Sequence, residues 1–239
     1  MISGYKGRGV HGHTVELLGV RIVNGTIAPG DVLDLQVIGQ ELDLSLTSLR
    51  EAIKVLMAKG LLDARQKRGT FVRPRSEWNA LDSDVLRWRQ AHGDSQSVLR
   101  DLAEVRSAIE PRAAALAAQR RSDSDVAALY EALDGMRAVR GGTADEAARA
   151  DLVFHQVLLQ ATGNELFGQM SVFVEPALMV RDQLVHDHTV ADPVPSHQQV
   201  VEAIVARDPE RAAAAAMALV EQSVEDVTRV LGRNGESTP

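Results

Sequence analysis

Apolar residues recur between positions 45 and 59 at Leu46, Leu49, Ile53, Leu56 and Met57. This is the three-and-four spacing of a helix packed along one side. Ser45 stands where an N-cap would, and Gly60 where a C-terminal glycine ends a helix. The pattern then changes. Two short β-prone pieces, residues 61–65 and 70–73, flank Gln66-Lys67-Arg68-Gly69. That turn carries basic side chains and a glycine free to take positive φ.

Upstream, Val15, Leu17, Leu18, Ile22 and Val23 predict a first amphipathic helix over 13–24, closed by Asn24-Gly25. Pro29-Gly30-Asp31 makes a turn. Leu35, Ile38 and Leu42 place a short second helix over 35–42. A short helix, a tight Asp43-Leu44-Ser45 turn, a longer helix and a hairpin with a cationic tip outline a winged helix-turn-helix.

Pro74 stops the second strand, and residues 77–94 read as a linker containing a helix over 82–90, with Trp88 available for an interdomain contact. From residue 95 the pattern is helical throughout: 96–119, 122–139, 143–161, 164–186, 196–207 and 209–231. Asp208-Pro209 is a helix start of cap followed by proline. Six such helices with short loops predict an antiparallel bundle, and the run Ala212–Ala216 suits close helix packing. The expected fold is mainly α. A winged helix-turn-helix (residues 1–76) and a linker helix (77–94) precede an all-helical bundle (95–239) that binds effector and dimerises.

Composition sharpens this division. Of 239 residues, 45% are hydrophobic but only 3% aromatic, which supports helical cores over sandwiches or barrels. There is no cysteine, so disulfides, thiolate nucleophiles and cysteine-ligated zinc are excluded. The net charge of −7 is partitioned. Residues 1–78 hold eleven Lys/Arg against eight Asp/Glu, and residues 79–239 hold fifteen against twenty-five. A basic reader joined to an acidic body suits a nucleic-acid-binding regulator. The N-terminus lacks the apolar core of a signal peptide, and no run reaches the ~18 apolar residues of a membrane span. A cytoplasmic protein without membrane contact is expected.

Several motifs bear on chemistry. Gly7-Arg8-Gly9-Val10-His11-Gly12 matches a dinucleotide fingerprint in form only, since no strand precedes it and no βαβ unit surrounds it. A flexible arm touching DNA backbone through Lys6 and Arg8 fits better. Asp151 and His155 are four apart and share a helix face, and His197 opens another helix. They could hold a divalent ion such as zinc, nickel or manganese; a solvated i,i+4 pair is the plainer reading of the first two. A metal-dependent helical-bundle enzyme acting on a small carboxylate is the alternative function. It lacks any Gly-x-Ser-x-Gly, His-Glu-x-x-His or phosphate loop to support it.

The N-terminal pieces Pro29-Gly30-Asp31, 45–52, Gly60-Leu61-Leu62 and Arg68-Gly69-Thr70-Phe71-Val72 resemble the winged helix of GntR-family transcriptional regulators. Glu104-Val105-Arg106, Glu110-Pro111, Asp151-x-x-x-His155, Gly163-Asn164, His197, Ala203-Ile204 and Asp208-Pro209 resemble the FCD effector domain of its FadR-type subfamily. The junction from Pro74 to Trp88 is similar to that of D-galactonate operon repressors. The resemblance implies a dimeric, ligand-responsive DNA-binding regulator, a repressor of sugar-acid catabolism released by a small carboxylate such as D-galactonate. It implies operator contacts from Ser45, Thr47, Ser48 and Arg50, with Arg65, Lys67, Arg68 and Gly69 at the wing. In the effector domain it implies a metal at Asp151, His155 and His197, with Arg106 as bidentate partner for an effector carboxylate. Arg181 is a second candidate there, against a surface salt bridge. Asn164 resembles a helix-start cap.

Two departures stand out. Leu46 occupies the place of an arginine that usually follows the opening serine, and no arginine stands in Gln36-Val37-Ile38. The family's further histidine, 22 residues after His197, is Leu219 here. A three-ligand site completed by effector and water, a contribution from His186 or His188, and no metal at all remain open.

Overall fold

The computed structural model describes residues 10–92, 95–185 and 192–235. The chain forms two compact bodies, the first extending to Val98 and the second beginning at Leu99.

In the first body, α1 (Val10–Val23), α2 (Leu35–Glu41) and α3 (Leu46–Ala58) precede a two-stranded antiparallel hairpin of β1 (Leu62–Arg65) and β2 (Gly69–Val72), and α4 (Ser83–Ala91) closes it. Asp34 caps α2 by accepting from the backbone N–H groups of Gln36 and Val37, and Ser45 caps α3 by accepting from that of Ser48. Asp43, at φ 51°, makes the left-handed turn between α2 and α3, a conformation that aspartate tolerates better than most residues. Val15, Leu18 and Ile22 of α1 meet Leu49, Ile53 and Leu56 of α3 in the core, with Leu35, Ile38 and Leu42 packed partly buried against them. Leu46 is different. The apolar period places it inward, on the side of Leu49 and Ile53, yet at the first position of α3 it is exposed.

The segment expected to be a linker packs as part of this body. Trp88 of α4, expected at an interdomain contact, is fully buried with Val15, Leu18 and Trp78 in the core of this body. Its ring lies over Gly19 of α1, where a Cβ would stand 2.4 Å from a ring carbon. Polar clamps surround it. Lys59 Nζ reaches Asp82 Oδ1 at 2.9 Å and Asp84 Oδ2 at 2.7 Å, and Arg87 donates to both oxygens of Glu16 at 2.6 Å. Gly60, at φ 76°, could not carry a side chain: a Cβ would meet the backbone nitrogen of Asn79 at 2.9 Å.

The second body is a helical bundle of α5 (Ser95–Arg120), α6 (Asp123–Ala138), α7 (Ala144–Gln160), α8 (Glu165–Gln169), α9 (Ser171–Val185), α10 (Val194–Val205) and α11 (Pro209–Gly235). Capping boxes at Ser122/Asp125 and Thr143/Glu146 start α6 and α7. The single helix expected over 164–186 is two, broken at Met170. Asn164 caps the first by accepting from the Leu166 N–H, as its resemblance implied. α10 begins two residues earlier than expected, with Pro193 at its N-cap and Pro195 in its first turn, where a missing N–H costs nothing. Phe154, Leu158, Leu129, Leu133, Val200, Val201 and Ile204 build the main core. Ala212 and Ala216, one turn apart, are the buried members of the alanine run, and their small side chains let α11 approach α10 closely.

Candidate functional site

The second body holds a partly open cavity of about 210 Å3, below the ~300–1,000 Å3 usual for drug-sized ligands and so matched to a small molecule. Arg106 of α5, Asp151 and His155 of α7, Arg181 of α9, His197 of α10 and Leu219 of α11 all line it. The five effector and metal candidates named from sequence therefore meet in one place, from four helices.

Asp151 and His155 share a face of α7 because they are four apart, and α10 brings His197 to the same point. One ligating atom from each lies within 4.8 Å of the others. His197 Nδ1 approaches the Pro193 carbonyl at 2.7 Å. Its other ring nitrogen, Nε2, faces Asp151 Oδ1 at 2.8 Å. His155 Nε2 lies 3.6 Å from the same oxygen and its Nδ1 3.1 Å from Glu110 Oε2. Asp151 Oδ1, His155 Nδ1 and His197 Nε2 are buried with no in-line hydrogen-bond partner. Buried polar atoms are costly in that state. Asp151 Oδ1, His155 Nε2 and His197 Nε2 are the atoms that converge, a donor set that fits a divalent cation, while Glu110 on the Nδ1 side orients the His155 ring.

Burial works against charge on the His155 ring, but Glu110 and Asp151 outweigh it and push His155 up to about 9. Burial also opposes the Glu110 carboxylate, which Arg106 and His155 bring down to about 2. Asp151 is held well below the usual carboxylate range by the two histidines, again against burial. The cluster thus holds its charges by mutual neutralisation.

Both arginines are already paired. Glu110 takes one edge of Arg106, with Nε–Oε1 at 2.6 Å and Nη2–Oε2 at 3.3 Å. Only Nη1 turns elsewhere, 3.5 Å from Ser223 Oγ. Arg181, whose plainer reading was a surface salt bridge, makes a buried one with Asp226 at 2.9 Å. Sequence reasoning named neither Asp226 nor Gln222 and gave Glu110 no role. The i,i+4 spacing of Arg106 and Glu110 could have signalled their pair; nothing local connects Arg181 to Asp226, 45 residues away. Leu219, apolar, lines the cavity where the further histidine was absent. His186 and His188 lie outside the described residues, as do Lys6 and Arg8.

The first body carries the other set. Thr47 and Arg50 are exposed on α3, while Ser45 and Ser48 are tied together, Oγ to Oγ at 3.0 Å, in the cap. At the wing, Arg65 lies 3.4 Å from Asp63. Arg65 and Arg68 stand 5.5 Å and 3.7 Å from the centroid of the Phe71 ring, an arrangement that fixes two guanidinium groups. Lys67 and Gly69 take φ of 69° and 82° at the tip.

Comparison with known proteins matches residues 12–72 to the family described as bacterial regulatory proteins, gntR family, and residues 101–222 to the FCD domain. The galactonate operon transcriptional repressor of Escherichia coli (strain K12) is 31% identical over 89% of this chain and 94% of its own length. The HTH-type transcriptional regulator LutR of Bacillus subtilis (strain 168) is 30% identical over 66% and 70%. Among solved structures, Lar, which controls expression of the Listeria monocytogenes agr system, superposes with a TM-score of 0.67 at 17% identity, covering 94% of this chain and 99% of that one.

Proposed function

The chain belongs to the GntR family of bacterial regulatory proteins and carries an FCD domain, and from that premise we propose that it represses a sugar-acid catabolic operon and is released from DNA by a small carboxylate. Its relatives are transcription regulators, so it is a ligand-responsive DNA-binding regulator and not an enzyme. Regulators of this family bind operator DNA and small-molecule effectors. The observation that carries the effector reading is the meeting of the buried side chains of Asp151, His155, His197, Arg106 and Arg181 in one cavity.

Asp151, His155 and His197 would hold a divalent metal, with zinc, nickel and manganese all matching a carboxylate-imidazole donor set. A bound ion would supply positive charge able to take a carboxylate and a neighbouring hydroxyl of an aldonic acid. The chain's own groups would orient the rest: Arg181 with its Asp226 partner, Gln222 and Ser223 offer hydrogen bonds, and Leu219 bounds the cavity with an apolar wall. D-galactonate or a related aldonate fits such a cavity, and the similarity to the galactonate operon repressor favours it.

The DNA-reading groups are Thr47 and Arg50 on α3, with Ser45 and Ser48 at its cap and Arg65, Lys67, Arg68 and Gly69 at the wing. Paired half-sites need two such helices about 34 Å apart or a multiple of it, so the working form is a dimer. Among the described residues no helix is long and apolar enough to cross a membrane, in keeping with a cytoplasmic regulator.

The test is a gel shift on duplexes selected from a random library, with and without aldonic acids. D-galactonate or a relative should release the DNA, and Arg50→Ala should abolish the shift at moderate salt. Calorimetry in which no aldonic acid binds, with or without added zinc or nickel, would remove the effector assignment; an unchanged shift for Arg50→Ala would remove that residue from the interface.

A further inference from the structure

Resting on the DNA-reading role proposed for α3, we infer that Leu46 is itself a base-reading side chain that recognises the C5-methyl group of a thymine in the operator. Leu46 is the first residue of α3 and is 44% exposed, whereas Leu49, Ile53 and Leu56 of the same helix are buried. A single exposed leucine is ordinary on a protein surface; its position here is what carries meaning. The N-terminal residues of a recognition helix are those that meet base edges in the major groove. At this N-terminus the Ser45 and Ser48 hydroxyls are engaged with each other, and Ser45 Oγ also accepts from the Ser48 backbone N–H at 3.1 Å. Among the described residues, Leu46, Thr47 and, one turn on from Leu46, Arg50 make no such local contact and stand exposed.

The major groove presents hydrogen-bonding atoms at every base and one apolar group, the thymine methyl. A leucine placed against guanine O6/N7 or the cytosine amino group would strip water from a polar atom and return no hydrogen bond, which is penalised. Against a thymine methyl it loses nothing and buries apolar surface on both sides. Leu46 therefore selects by attraction at thymine and by rejection elsewhere. Four residues of helix rise about 6 Å, against about 3.4 Å per base step. The thymine read by Leu46 lies within one or two steps of the base that Arg50 contacts.

Duplexes selected from a random library by the full-length protein should share such a thymine in each half-site. Replacing it by deoxyuridine, which lacks only the methyl, should weaken wild-type binding about fourfold, the worth of one buried methyl-sized group. Leu46→Ala should bind the thymine and uracil duplexes equally, while Thr47→Ala keeps the difference at that position. Because Leu46 is exposed, its truncation should leave the thermal midpoint unchanged. Binding indifferent to uracil at every thymine, or a methyl effect that survives Leu46→Ala, would overturn the inference alone. Failure to select any duplex would instead remove the DNA-reading role of α3, and this inference with it.

Discussion

Glu110 Oε2 lies 3.1 Å from His155 Nδ1, while Oε1 of the same carboxylate lies 2.6 Å from Arg106 Nε. One fully buried acid thus orients both a candidate metal ligand and the arginine beside it. Removing either neighbour would leave a buried charge uncompensated, which is far more costly than the pair itself is stabilising.

This arrangement makes the metal-free protein sensitive to pH. His155 is raised to about 9 in the folded state, from an ordinary value of about 6.5. Its contribution to stability is therefore complete below about pH 6.5 and is lost as pH rises through 9. Glu110, lowered to about 2, contributes above its ordinary range, and that contribution fades as pH falls toward 2. Thermal midpoints of chelator-treated protein should decline between about pH 6.5 and 9. His155→Gln should flatten that decline; an identical profile for the variant would show that His155 is not the titrating group.

Metal uptake should expel a proton. A charged imidazolium cannot ligate, so zinc or nickel must displace the proton that Glu110 and Asp151 hold on His155. Apparent affinity should rise with pH up to about 9, and the calorimetric heat should vary with the ionisation enthalpy of the buffer. Substituting Glu110 by Gln removes the orienting charge and should cost about 10–100-fold in metal affinity. Heats independent of buffer would contradict the assignment.

Gly19→Ala should destabilise the first body despite alanine's better helix propensity. The added Cβ would stand 2.4–2.7 Å from three atoms of the Trp88 ring, which is fully buried and has nowhere to move. Overpacking of this kind costs about 1–3 kcal/mol, more than the ~1 kcal/mol an alanine gains over glycine in a helix. A higher urea midpoint for the variant would show that α4 yields at this contact.

Phe71→Leu should keep the hairpin folded while releasing Arg65 and Arg68 from their ring. Cation–π contacts at exposed sites are worth about 0.5–1 kcal/mol, so binding to a selected duplex should weaken about two- to fivefold. Unaltered affinity, with an unaltered circular dichroism spectrum, would mean that the stacking does not position the wing for DNA.

Much of this protein was legible in one dimension because helices and hairpins announce themselves locally. The period of Leu49, Ile53 and Leu56, the Ser45 and Asn164 caps, and the glycine at the wing tip each depend on residues within a few positions. Family motifs likewise placed Asp151, His155 and His197 in one site. Elsewhere, periodicity misled. It assigned Leu46 inward, although at the start of α3 that side chain is exposed. Nor could local pattern show where Trp88 packs: the missing Cβ of Gly19, 69 positions earlier, makes the ring's seat.

The sequence by itself determined the two-part architecture, the regulator family and the identity of most ionisable groups in the cavity. Only the tertiary structure decided who partners whom. It gave the bidentate edge of Arg106 to Glu110, paired Arg181 with Asp226, and set Asp151 between His155 and His197 with Glu110 behind the His155 ring. The reason is physical. Periodicity and capping are set by neighbours along the chain, whereas the charge state and orientation of a buried group are set by whatever other helices bring within a few ångströms, and water is not there to screen it.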